Sequence, residues 1–374
     1  MVAVTTSKPA PGYLPGQHPD LPPPVNTVGV IGWVRRNLFP SATNTFLTLL
    51  AAYFLYLVIP PLIDWMFLEA TFVGKSRKEC HAVASGACWA FVGERFQLFV
   101  YGFYPIEQRW RVNLSFVLLF LALAPVLFDR VPRRERMLLF SAFYPFLAGW
   151  LLVGGWGLEP VDTYLFGGIM LTLVIGITGI AFSLPIGILL ALGRQSYLPV
   201  VRLCCIAFIE IIRGVPLITL LFVASTMLSY FLPPGTDFNL LLRVLIMVTL
   251  FSSGYIAEVV RGGLQAIPRG QYEAADSFGF KYWQSMRLVV LPQALKISIP
   301  GIVNTFIGLY KDTTLVIIIG LLDPLGIGRA SLADTKWQGL STEVYVFVAL
   351  FFFISCISMA RYSLYLEKKL HTGL

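Results

Sequence analysis

The two longest stretches of this chain without Asp, Glu, Lys or Arg run from Asn37 to Ile63 and from Thr163 to Gly193. A helix of about 20 apolar residues crosses the hydrocarbon core of a bilayer, and each run is long enough to supply one. Inside lipid every backbone N–H and C=O must be satisfied within the segment, so runs of this length are read as helices. Composition points the same way: 57% of the residues are hydrophobic, only 13% are charged, and mean hydropathy is +0.75. A soluble domain carries about a quarter charged residues to cover its surface. The chain reads as an all-α polytopic membrane protein. Its net charge of +8 does not imply nucleic acid, because the Lys and Arg residues fall beside apolar runs, where loops on the cytoplasmic side collect them.

Charge and proline divide the chain into eight spans. The first 26 residues hold Pro9, Pro11, Pro15, Pro19, Pro22, Pro23 and Pro24 without an apolar core, which predicts a flexible tail rather than a signal peptide. Trp33 to Phe39 suits a short interfacial helix. Asn44 to Ile63 is the first span, ended by Pro60 and Pro61. A mixed stretch from Asp64 to Arg111 predicts a small excursion outside the bilayer, followed by a second span from about Val112 to Phe128. Arg130, Arg133, Arg134 and Arg136 then place a short loop in the cytoplasm. Met137 to Val153 is the third span and Thr163 to Gly193 the fourth, with Gly167, Gly168, Gly176 and Gly179 as small faces for helix packing. Leu198 to Leu232 reads as a tilted entry followed by a fifth span kinked at Pro216. After the turn signal Pro233-Pro234-Gly235 come Leu240 to about Gly263, Leu288 to about Leu309, and Val344 to Ala360. Alternation from a cytoplasmic N-terminus puts every strongly basic short loop, and the C-terminus with Lys368 and Lys369, on one side. Three regions follow: a tail over 1–36, an extension with three spans over 37–157, and a core with five spans over 158–374.

The five cysteines and three histidines form no metal-ligand set. Cys204, Cys205 and Cys356 read as buried packing residues. Cys80 and Cys88 share the external loop and are either a disulfide or two free thiols.

One polar, small-residue island interrupts the apolar pattern. Glu273-Ala274-Ala275 opens it, Gly279 offers a turn, and Leu291-Pro292 closes it. Helix formers at the start, with Phe278, Phe280, Tyr282 and Trp283 as aromatic anchors, suit a cytoplasmic docking surface. The alternative is an ordinary amphipathic helix between two spans.

These residues, at this spacing, resemble the EAA motif of ABC-importer permeases. Three further segments match in order: Glu210-Ile211-Ile212-Arg213-Gly214-Val215-Pro216-Leu217, Gly254-Tyr255-Ile256-Ala257-Glu258-Val259-Val260-Arg261-Gly262-Gly263, and Lys311-Asp312-Thr313-Thr314-Leu315. Together they resemble the polar amino-acid uptake branch of that family, from about Tyr164 to Lys369. The long N-terminal extension is similar to that of the larger permease subunit of general L-amino-acid importers. The resemblance implies a type I importer core of five helices plus three added ones, in the bacterial inner membrane. It implies that Gly270, Tyr272, Glu273, Ala274, Ala275, Phe278, Gly279, Phe280, Leu291 and Pro292 couple the chain to a separate ATPase. It also implies partners: a homodimeric ABC ATPase carrying ATP and Mg, a second permease subunit that is a paralogue of this chain, and a periplasmic amino-acid-binding protein. This chain itself has no P-loop, since Glu69 stands where the glycine preceding Gly74-Lys75-Ser76 is needed. No cofactor and no catalytic residue is expected in it.

A free amino acid carries both charges, so a path for it needs opposed charges facing a cavity. Glu210 with Arg213 and Glu258 with Arg261 stand at i, i+3 and so share a helix face. Lys311, Asp312, Ser253 and Asn304 complete the candidates. The competing reading is that these charges only pair with one another or serve topology. A stand-alone secondary carrier is the other functional class, and it predicts inverted repeats that this sequence does not display.

Overall fold

The computed structural model describes residues 29–227, 230 and 238–370. Most of the proline-rich tail and the Pro233-Pro234-Gly235 turn lie outside the described residues. Helices account for nearly all regular structure, and among the described residues no strand forms beyond isolated bridges. Among the described residues seven helices are long and apolar enough to cross a membrane, and a bent pair makes an eighth span if it is counted as one.

The chain divides into two units. In the first, Ser41 accepts a bond from the Asn44 N–H at 3.2 Å and starts the second of two helices, α1 (Gly29–Leu38) and α2 (Ala42–Ile63). Pro60 and Pro61 do not end α2, as their position suggested. They lie within its last turn, and the chain winds on through a π-turn, Asp64–Leu68. The Asp64 N–H reaches the Pro60 and Pro61 carbonyls, so the carbonyl side of the ladder survives where the proline nitrogens contribute nothing. None of the α2 side chains is buried.

The second unit holds the other spans. Its central helices are α7 (Gly168–Arg194), α10 (Leu240–Gln265) and α13 (Leu291–Asp312). Glycine sets their spacing. A Cβ on Gly187 would stand 2.6 Å from Ile256 Cγ2, and one on Gly263 would meet the Ala294 carbonyl at 2.5 Å. The glycine stripe of α7 therefore serves close approach to α10 and α13, which is what makes small residues valuable where lipid offers no hydrophobic drive for association. The pair α5 (Arg109–Leu127) and α6 (Arg134–Val153) packs beside α7, and the last span, α15 (Ser341–Leu370), lies along α13.

One end of this unit is closed by short elements. Helices α3 (Arg77–Val83) and α4 (Ala90–Tyr101) meet the stretch that leads through α14 (Pro324–Ser331) into α15. The Arg77 N–H donates to the Lys336 carbonyl at 2.8 Å, its Nη1 to the Gln338 carbonyl at 3.0 Å, and Arg95 pairs with Asp334. A disulfide joins Cys80 to Cys88, with Cα atoms 5.7 Å apart, and the Cys88 N–H donates to the buried Glu343 carboxylate at 3.3 Å. Gly168 sits at φ +60° where α7 begins, and a Cβ there would fall 2.1 Å from the Phe99 carbonyl. At the other end, Lys369 pairs with Asp129 and the Tyr362 hydroxyl donates to the Val126 carbonyl. The loop rich in arginine and the end of α15 thus share a side, opposite the disulfide.

The fifth span differs from its expected kinked form. Helix α8 (Pro199–Gly214) stops at Val215, whose backbone is extended, and α9 (Leu217–Phe222) starts afresh from Pro216, running on into a π-turn. The two pieces meet at 102°. Proline disfavours the helical conformation in the residue before it, so Val215 leaves the helix and the span breaks rather than bends. Cys204 is exposed and Cys205 and Cys356 half-buried, a correction to their reading as buried residues; Cys205 lies against Gly193 of α7.

Candidate coupling helix and charge cluster

The island folds as α11 (Arg269–Ser277), followed after a corner by α12 (Tyr282–Ser285). The corner follows from glycine. Gly279 takes φ +73°, its N–H donates to the Asp276 carbonyl at 2.9 Å, and the Phe280 N–H donates back to Ala275 at 3.2 Å. This pair of bonds is a Schellman C-cap, which needs a left-handed residue at its centre. The faces of α11 then separate. Ala275 is buried, Tyr272 packs on the apolar cluster of α10 and α13, and Gln271 Oε1 accepts from Gln293 Nε2 at 3.1 Å, tying α11 to α13. Burial pushes the Tyr272 phenol above its usual pKa, with Tyr282 adding to the effect. Gly270, Glu273, Ala274 and Phe278 face outward, Phe278 at 81% exposure, while Phe280 and Leu291 are half-buried and Pro292 is exposed. Of the two alanines only Ala274 offers contact to another surface.

The path candidates divide into two groups. Glu210, Arg213, Glu258 and Arg261 come together, and Arg194 from the end of α7 joins them. Arg194 Nη1 lies 2.9 Å from both Glu210 Oε1 and Glu258 Oε1. Arg261 donates to Glu258 Oε2 through Nε at 3.0 Å and Nη2 at 2.9 Å, and Arg213 Nη1 stands 3.7 Å from the same oxygen. The i, i+3 reading holds for Glu258 with Arg261 but not for Glu210, which pairs with Arg194 instead of Arg213. Three residues of the matched segment in α10 have a local reason here. Gly254 leaves room for Ile212 and the Arg213 stem of α8, Tyr255 carries the Arg213 guanidinium 5.6 Å from its ring centroid, and Glu258 is the shared acid. Three guanidiniums meet two carboxylates, an excess of one positive charge.

The other candidates stand apart. Ser253 is fully buried and donates to the Leu250 carbonyl of its own helix at 2.7 Å, beneath α7. Asn304 is exposed midway along α13, and Lys311 and Asp312 occupy the far end of that helix. Sequence reasoning missed Arg194, because a single arginine after a span has the ordinary look of a topology signal.

The family described as "Binding-protein-dependent transport system inner membrane component" matches residues 183–372, which contain α8, the charge cluster, α11 and its corner. The chain belongs to that family. The inner membrane amino-acid ABC transporter permease protein YhdY of Escherichia coli (strain K12) is 50% identical over 95% of this chain and 97% of that protein. The glutamate/glutamine/aspartate/asparagine transport system permease protein BztC of Rhodobacter capsulatus is 46% identical over 93% and 95%. Both similarities run through the N-terminal extension as well as the core. A solved structure, "Crystal structure of an amino acid ABC transporter with histidines", is similar at 28% identity with a TM-score of 0.48, covering 54% of this chain and 92% of that one. The chain is thus a multi-pass inner-membrane permease subunit of an ABC importer, not a stand-alone carrier and not an enzyme. ATP hydrolysis lies on a separate subunit, and a substrate-binding protein and an ATPase are its implied partners.

Proposed function

We propose that this importer carries polar or general L-amino acids, and that the cluster around Glu258 lies on their path. The observation that carries the proposal is the cluster's surplus of one guanidinium, which suits a substrate with an obligatory carboxylate. The names of the two most extensive relatives quoted above agree with that chemistry. Arg213 is the least engaged arginine, 3.7 Å from its acid and stacked on Tyr255, so it is the group most readily turned toward a passing carboxylate. Glu210, half of whose side chain is open, is the matching group for the ammonium.

In this reading α11 is the coupling helix. Glu273, Ala274 and Phe278 enter a groove of a homodimeric ATPase that holds ATP and Mg. Ala275, Tyr272 and Gln271 pass its movement inward to α13, and the spans alternate between inward-open and outward-open forms. A paralogous permease subunit completes the passage, and a periplasmic amino-acid-binding protein delivers the substrate. The tail over 1–36 and both termini are cytoplasmic, 37–157 is an added module, and 158–374 is the translocating core.

Uptake of labelled amino acids by the assembled transporter tests this. Glu210→Gln, Arg213→Gln, Glu258→Gln and Arg261→Gln are compared with assembly checked by co-purification, and normal uptake in all four would remove the cluster from the path. Phe278→Ala is expected to lose the ATPase on purification while the permease stays folded. Retention of the ATPase in that variant would count against α11 as the coupling element.

A further inference from the structure

A cavity of about 410 Å³ opens between the α7–α8 turn and α12, on the side of the coupling helix. Its floor is Leu189 and Leu192 of α7 and Val201 of α8. Its mouth is Tyr197, Tyr282 and Trp283. Leu189 and Leu192 belong to the last two turns of a membrane span, whereas Tyr197 and Val201 follow Arg194, where that span ends. Aromatic rings with a polar edge collect at that boundary. Tyr282 and Trp283 stand edge to face with centroids 5.3 Å apart, and Tyr197 is 97% exposed. Phe278 does not line the cavity, so the aromatic residues of the island divide between two surfaces: Phe278 on α11, and Tyr282 with Trp283 here.

Charge decides what kind of molecule fits. Arg202 adjoins Val201 and Lys281 adjoins Tyr282 in the chain, and both are exposed. Among the described residues no carboxylate lies within ion-pair distance of either. An apolar floor from a membrane span, an aromatic collar and two exposed cations next in sequence to the lining suit the acyl chain, ester region and anionic headgroup of a phospholipid. A soluble protein segment reaching the same floor has to carry apolar side chains down into the hydrocarbon layer, whereas the lipid is already there.

We propose that this cavity is a binding site for one anionic phospholipid of the leaflet on the ATPase side, with its phosphate between Arg202 and Lys281. The lipid holds α12 against the α7–α8 turn and so fixes the piece of chain that leads from α11 into α13. The proposal rests on the span reading of α7 and not on the substrate.

Mass spectrometry of the transporter purified with its partners in mild detergent tests it, by counting retained phospholipid. Arg202→Gln and Lys281→Gln change exposed groups, so folding is not at stake. Each is expected to weaken retention of anionic lipid about fivefold, with no effect on neutral lipid. Unchanged retention in the double variant would overturn the site. A benzophenone side chain placed at Tyr197, with a second at Phe278, gives an independent readout in the complete transporter. Adducts with phospholipid at position 197 and with the ATPase at position 278 are the expected result. A protein adduct, or no lipid adduct, at position 197 overturns the lipid site, whereas a missing ATPase adduct at 278 bears only on the coupling helix.

Discussion

The two ends of the second unit are held in different ways. At the disulfide end a covalent link and backbone ties stand beside an ion pair: Cys80 is bonded to Cys88, the Arg77 N–H donates to the Lys336 carbonyl, the α7 start is pressed on the Phe99 carbonyl through Gly168, and Arg95 pairs with Asp334. At the coupling end side-chain ion pairs do the joining, and aromatic rings stand exposed beside them. Backbone ties fix a geometry, since little can change without breaking them. Ion pairs between long side chains can exchange partners at a modest cost. The disulfide end is therefore built to stay as it is, whereas the ion pairs at the other end leave room for the rearrangement proposed above.

Four sets of substitutions break or sharpen this contrast. Gly168→Ala strikes the rigid end hardest, because the new Cβ collides with the Phe99 carbonyl at a positive φ; a loss of roughly 5 kcal/mol is expected, read as failure to accumulate in the membrane. Glu258→Gln strikes the other end by leaving three arginines around a neutral amide, at about 3–4 kcal/mol, and Glu258→Asp should recover part of it in thermal melting.

Asp323 tests the rigid end through pH. It is fully buried, caps α14 by accepting the Gly326 N–H at 2.9 Å, and leaves Oδ2 without a partner; burial pushes its carboxyl up to about 6 against the N–H bonds that favour its charge. A carboxyl whose folded pKa lies above its unfolded value binds more protons when folded, so stability falls as pH rises from about 4 to about 6 and is level beyond. Asp323→Asn keeps a good cap and should flatten that slope, by at most ~3 kcal/mol, in melts taken across the window. The smallest effect is expected from Cys80→Ser with Cys88→Ser. The bonded loop spans 8 positions, which corresponds to about 2–3 kcal/mol of unfolded-state entropy, and reducing agent should lower the wild-type melting temperature but not that of the double variant. A melting temperature indifferent to reduction in the wild type would mean that backbone ties alone hold this end.

Much of this architecture was legible because lipid imposes simple rules. Runs without charge became helices, and arginines between Asp129 and Arg136 share a side with Lys369 as the charge rule required. What remained hidden depends on contacts remote in sequence. Glu210 chose Arg194 over Arg213 since α7 returns beside α8, and nothing in a single helix reveals that. The inward turn of Ala275 was equally unreadable, because α11 is short and both alanines are small enough for either face. Pro216 was visible, but whether a proline kinks a span or ends it depends on what supports the freed backbone groups. The bonding of Cys80 to Cys88 needed a Cα separation that spacing alone does not supply.

The corner at Gly279 has a mechanical meaning. The N–H groups of Phe278, Gly279 and Phe280, which follow α11, are already spoken for, by Ala274, Asp276 and Ala275, so the bend has no slack in which to absorb a displacement. If α11 is the coupling helix proposed above, a push at Phe278 would turn the whole of α11 about a stiff elbow, with the Gln271 to Gln293 bond as its second point of attachment. Between them, one glycine and one pair of amides turn a short polar helix into a lever whose far arm is a membrane span.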